Sequence, residues 1–181
     1  MYWNDEARLV FLAHPRTASR SIANALRLQC GFKSGGNHHA APIGKDDYTK
    51  FTVVRNHFDT LVSWWFFIMS ERKHDPKPFD KDFIPYLWNY SRYGYGKLFP
   101  IEHRLWGLHS AAADYVLHYE TLLADLNGVL TTKGLGVESL THVHDRSRNG
   151  TPYEPMYDTA TRRFVEDWFA EELEELDYSY D

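Results

Sequence analysis

Cysteine is almost missing from this chain: Cys30 stands alone among 181 residues, so no intramolecular disulfide can form. That fits a reducing compartment, and the cytoplasm is the expected location. Long apolar runs are missing too. The longest, "LVSWWFFIM" from Leu61 to Met69, falls far short of the roughly 20 residues that a membrane-spanning helix takes, so no membrane contact is expected. The opening "MYWNDEARL" lacks the basic flank and apolar centre of a secretory leader. Positive charge is not in excess either: 20 Lys and Arg against 25 Asp and Glu leave a formal charge of -5, the wrong balance for a nucleic-acid surface. Any anionic ligand must therefore be met by basic groups gathered locally. A Walker loop, Gly-x-x-x-x-Gly-Lys-Ser/Thr, is absent, which weakens a Mg-ATP or GTP reading.

What remains is ordinary globular material, 43% apolar and 25% charged, and reads as one domain over residues 1–181. Leu9 to Ala13 form a short apolar run closed by Pro15. "SIANALRLQCGF" then sets Ile22, Ala25 and Leu26 on one helical stripe, with Gly31 as the stop. "KFTVVR", Lys50 to Arg55, reads as a second strand, followed by a helix from about Phe58 to Glu71 with Trp64 and Trp65 as core residues. "DYVLHYE", Asp114 to Glu120, reads as a third strand, with an amphipathic helix after it, and "SLTHVH" as a short fourth. A tail helix runs from Thr159 to Leu176 with Phe164, Trp168, Leu173 and Leu176 on one side. Strands alternating with helices imply a parallel sheet covered on both faces, with ligands beyond the carboxyl ends of its strands.

The stretch "AHPRTASRS" falls at such an end. A loop that enters a helix turns the first N–H groups outward, backed by the positive end of the helix dipole. Thr17, Ala18 and Ser19 are small enough to let a phosphate or sulfate reach the backbone, while Arg16 and Arg20 add charge and forked donors. The plainer alternative is that Ser19 or Ser21 caps the helix. Further on, "VVRNHFDTLVS" sets Arg55 at a strand end and Ser63 eight residues later, about two turns into the next helix.

These two segments resemble the paired nucleotide-binding motifs of the sulfotransferase family, which uses 3′-phosphoadenosine 5′-phosphosulfate (PAPS) as donor. The first is similar to the "PKTAGTS" form of the 5′-phosphosulfate loop in carbohydrate-type and bacterial members. The second is similar to the 3′-phosphate motif "RNPxDxxVS", with His57 in place of proline. "DYVLHYETLLADL" resembles the family's "vlryEdL" segment, with His118 for the usual arginine, and the tail resembles its closing segment. Residues 72–107 match poorly.

The resemblance implies an α/β fold, a P-loop-like three-layer sandwich with a central parallel sheet flanked by helices. It implies sulfuryl transfer from PAPS to a hydroxyl of a carbohydrate or small-molecule acceptor, with no metal required. Arg16, Thr17, Ala18, Ser19, Arg20 and Ser21 would cradle the 5′-phosphosulfate, and Arg55 with Ser63 would hold the 3′-phosphate. Arg16 stands where the family has lysine and would stabilise the leaving phosphate rather than act as an acid. His39, then His38, would be the base that takes the acceptor's proton, with Asp46 or Asp47 as alternatives. Arg146, Arg148 and Gly150 fall where a late loop of the family closes over the nucleotide. Tyr90, Tyr93 and Tyr95 are candidates for an acceptor lid. His142 and His144, two apart, would share a face on a strand, but no acidic or cysteine partner at a metal-ligand spacing goes with them. The competing functional readings are a P-loop-type nucleotide or small-molecule kinase and a non-catalytic nucleotide-binding module. The acceptor and the oligomeric state are not encoded in any motif found.

Overall fold

The computed structural model describes residues 1–35, 44–71, 83–84, 87, 110–141 and 150–181. The chain divides into two compact units, one of Met1–Arg55 with Glu102–Val143, the other of Asn56–Ile101 with His144–Asp181.

The first unit is built on a five-stranded open sheet in the order β3-β1-β2-β4-β5. Its strands are β1 (Tyr2–Asn4), β2 (Leu9–Leu12), β3 (Lys33–Ser34), β4 (Thr49–Val54) and β5 (Tyr115–His118). β2, β4 and β5 run parallel, while β1 pairs antiparallel with both β2 and β3. The sheet is therefore mixed, which corrects the all-parallel expectation. The reason is the four-residue link between β1 and β2, since so short a connection can join only antiparallel neighbours. The Asn4 side-chain carbonyl accepts from the Ala7 N–H at 2.8 Å, and Arg8 turns the chain with a φ of 53°. Lys33, Lys45 and Tyr48 gather around Asp5, and their side-chain hydrogen bonds hold its carboxyl well below the usual carboxylate range.

Alternation sorts the central strands. Leu9 and Phe11 of β2, Phe51 and Val53 of β4, and Leu117 of β5 share one core with two helices, α1 (Ser19–Cys30) and α3 (Leu122–Thr131). Phe11 and Phe51 stack with centroids 5.2 Å apart and are fully buried, each burial being favourable by about 1.5–3 kcal/mol. α1 contributes Ile22, Ala25 and Leu26, and stops at Gly31, whose φ of 67° is left-handed. Val10 and Leu12 of β2 pack with Met1 in a separate cluster.

Residues 139–141 form no strand. Gln29 takes the backbone there instead, accepting from the Glu138 N–H at 2.9 Å and donating to the Ser139 carbonyl at 3.3 Å.

The second unit holds α2 (His57–Glu71), a 3-10 turn (Glu154–Met156), α4 (Thr159–Trp168) and α5 (Ala170–Glu175). The expected single tail helix is broken at Phe169, which leaves helical geometry with φ −115° and ψ 24°. The deepest residues of the tail are Thr161, Val165 and Phe169, while Phe164 and Trp168 lie partly buried around Phe58, Leu61 and Val62 of α2. Trp65 packs edge-on against Phe83. Among the described residues no helix is long and apolar enough to cross a membrane.

Candidate functional site

β2 ends at Leu12, opposite Thr52 of the parallel β4, which runs on to Val54, and the Thr52 hydroxyl donates to the Leu12 carbonyl at 2.9 Å. From that edge residues 13–18 turn back into α1. Thr17 is fully buried and its hydroxyl donates to the His14 carbonyl at 2.9 Å, while His14, also buried, bonds through Nδ1 to the Pro15 carbonyl at 2.9 Å. Arg16 and Ala18 both lie in the left-handed region, with φ of 65° and 57°. Neither is glycine, so each conformation costs on the order of 1–3 kcal/mol that the surrounding contacts must offset.

The helix start does not use Ser19 or Ser21 as its N-cap. Its N-cap is Ala18, which has no side-chain acceptor, and the first turn carries no acid. An intrahelical bond runs from the Ile22 N–H to the Ala18 carbonyl at 3.0 Å, and the residues before it lie at the positive end of the helix dipole. Left-handed residues on either side of Thr17 are the kind of backbone alternation in which anion-binding concavities form. Ser19 and Ser21 are buried, Arg16 is half-buried and Arg20 exposed.

Arg55 belongs to the same place. Parallel pairing of Val54 with His118 sets Arg55 beside Tyr119, and the guanidinium carbon lies 4.0 Å from the Tyr119 ring centre. One guanidinium nitrogen donates to the Arg16 carbonyl at 3.0 Å. The structure thus brings together Arg16, Thr17, Ala18, Ser19, Arg20, Ser21 and Arg55. Tyr119 is the residue that sequence reasoning missed, and only the β4–β5 register reveals it.

The two acids offered as alternative bases fall elsewhere in the first unit. Asp46 and Asp47 precede β4 at the amino end of the strands, where Asp47 pairs with Arg8 and the Asp46 carbonyl accepts from Lys50. At about 3.3 Å per residue, β4 alone separates them from Arg55 by roughly 20 Å, so they cannot serve as the base. Ser63 is buried on α2 and belongs to the second unit. Gly150, also in the second unit, is exposed with a φ of 72°. His38, His39, Tyr90, Tyr93, Tyr95, His142, His144, Arg146 and Arg148 lie outside the described residues.

Two members of the second motif have structural duties in the second unit. The Asn56 side chain caps α2, accepting from the Phe58 N–H at 3.1 Å, and donates to the Ser179 carbonyl at 2.6 Å. His57 is buried and stacks on Phe169 with centroids 4.3 Å apart. A separate cleft of about 420 Å³ in this unit includes Arg162, but that guanidinium is engaged by Glu166 at 2.7 Å and Asp181 at 3.4 Å and lies over Tyr180. Among the described residues no group of three or more His, Cys, Asp or Glu is arranged to hold a metal ion.

No protein-family model matches the chain, and no curated protein or solved structure matches it either.

Proposed function

We propose that the chain is a sulfotransferase, moving a sulfuryl group from PAPS to a hydroxyl of a carbohydrate or small metabolite. One observation carries the reading: a strand-to-helix turn with two left-handed non-glycine residues, no acid of its own, and the second motif's arginine bonded into it. Residues 16–21 hold the 5′-phosphosulfate through backbone N–H groups, and Arg16 and Arg20 neutralise the charge that builds on the departing phosphate. Arg55 and Ser63 serve the 3′-phosphate, and Arg146, Arg148 and Gly150 close over the nucleotide. His39, or His38 beside it, takes the acceptor's proton as its oxygen attacks sulfur in line. In this reading the parallel strands β2, β4 and β5 are the centre of a P-loop-like three-layer sandwich, and β1 and β3 extend its edge.

Calorimetry with 3′-phosphoadenosine 5′-phosphate and with Mg-ATP tests the donor. Preference for the former is expected, and preference for Mg-ATP would favour a kinase. Radiolabelled transfer to a panel of hydroxyl acceptors tests the chemistry, since tight donor binding with no transfer would favour a silent nucleotide-binding module. His39→Ala should lower turnover while sparing donor affinity, and full activity would move the base elsewhere.

A further inference from the structure

We propose that Arg55 is the clasp of the β2–α1 turn, a positioning residue that sets the direction of the N–H groups in residues 16–18. The proposal rests on the anion-binding reading of that turn and adds a physical link between the two sequence motifs. A peptide unit is planar and trans, so its carbonyl and its N–H point opposite ways. The Arg16 carbonyl is drawn to Arg55 at 3.0 Å, and the Thr17 N–H, which shares that peptide plane, is thereby aimed away from Arg55. The buried Thr17 side chain is tied to the His14 carbonyl, so the peptide is fixed on both sides.

Arginine suits this duty for a specific reason. Its flat guanidinium lies on the Tyr119 ring, 4.0 Å from the ring centre to the guanidinium carbon, while a nitrogen at its edge donates in the plane. Lysine keeps the charge but has no plane to stack and no fixed fork. Arg55 itself is mostly buried, as a clasp held between β4, β5 and the turn must be. Removing the clasp therefore weakens every ligand gripped by the turn, whether or not it bears a 3′-phosphate.

The test compares wild type with Arg55→Lys by calorimetry, using 3′-phosphoadenosine 5′-phosphate and 5′-AMP as probes. Both should lose affinity, 5′-AMP by about tenfold and the 3′-phosphorylated probe by at least as much. A loss confined to the 3′-phosphorylated probe would overturn the clasp and leave Arg55 as a grip on that phosphate alone. A second arm needs no nucleotide: trypsin cleavage after Arg16 is timed against cleavage after Arg27, exposed on α1, in wild type and Arg55→Met. Faster cutting at Arg16 with Arg27 unchanged supports the clasp. An equal rise at both sites, or none, refutes it. Should wild type bind neither probe while the Arg16 cut quickens, the clasp stands and the nucleotide reading falls.

Discussion

The turn into α1 and the turn into α3 both leave the carboxyl ends of parallel strands in the first unit, yet they are finished differently. After β5, Asp125 folds back from the first turn of α3, and one of its oxygens accepts from the His118 N–H at 3.0 Å and the Thr121 hydroxyl at 2.7 Å. That turn carries its own anion. After β2, the corresponding positions are Ala18, Ser19, Arg20 and Ser21, with no acid among them and an arginine on either flank of the small residues. In the second unit α2 is capped by Asn56 and α4 by Asp158 in a reciprocal box with Thr161, while α5 starts at Phe169 without a side-chain cap but with Glu171 and Glu172 in its first turn. Among the described α-helices α1 is the one whose start has neither a side-chain cap nor an acid in its first turn, and it lies at the edge where a parallel sheet binds its ligands.

Giving the first turn an anion should produce the largest effect. Ala18→Asp places a carboxylate where a phosphate or sulfate would sit, and aspartate tolerates the left-handed backbone better than most residues. Like-charge contact costs several kcal/mol, so affinity for 3′-phosphoadenosine 5′-phosphate should fall by about 100-fold or more in calorimetry while the melting temperature holds. Unchanged affinity would mean that this turn is not the anion site.

The reverse experiment removes the internal anion of the other turn. Asp125→Ala leaves the part-buried His118 N–H and the Thr121 hydroxyl without their acceptor, at a cost of about 1–3 kcal/mol read from urea unfolding. Nucleotide affinity should not change. A loss of binding equal to that of Ala18→Asp would erase the distinction between the two turns.

A weaker effect of the same kind belongs to α4. The Thr161 hydroxyl and then the Thr161 N–H bond the Asp158 carboxylate and lower its pKa below the ordinary value. A lowered folded-state pKa stabilises above the unfolded value, near 3.9, and that stability is lost as pH falls through the folded value. Asparagine caps without titrating. Melting curves of wild type and Asp158→Asn should therefore separate above about pH 4 and converge in stronger acid. A constant gap down to the lowest pH would show that the carboxylate's charge is irrelevant to the cap.

Sequence pattern reads well where an element is long. The β-branched run ending at Val54 is legible because the strand is buried on both faces, and the Ile22–Leu26 stripe because its helix has a single face to bury. β1 and β3 were not, since strands of three and two residues carry no period and are fixed by the Asn4 turn and by pairing. The break at Phe169 also leaves no trace, for neither glycine nor proline marks it; the buried ring against His57 does. At the site, the residue types of the turn pointed to an anion, but nothing in "PRTAS" announces left-handed geometry at an arginine and an alanine. Tyr119 needed the register of β5, and the acids Asp46 and Asp47 looked plausible only until strand direction put them at the far end.

The smallest prediction concerns strain, and it has opposite signs in the two turns. Ala18, at φ 57°, pays about 1–2 kcal/mol for a left-handed backbone that glycine adopts freely, against about 0.5–1 kcal/mol that glycine loses through its more flexible unfolded chain. Ala18→Gly should thus raise stability by at most about 1.5 kcal/mol. Thr121 has an ordinary φ of −115°, and its hydroxyl bonds Asp125, so Thr121→Gly removes a contact and relieves nothing. Thermal unfolding of the two variants should move apart from wild type, upward for the α1 turn and downward for the α3 turn. If both fall together, the left-handed residue at Ala18 stores no strain, and the shape of the turn would have to be credited to sequence-local preference rather than to the contacts around Arg16 and Arg55.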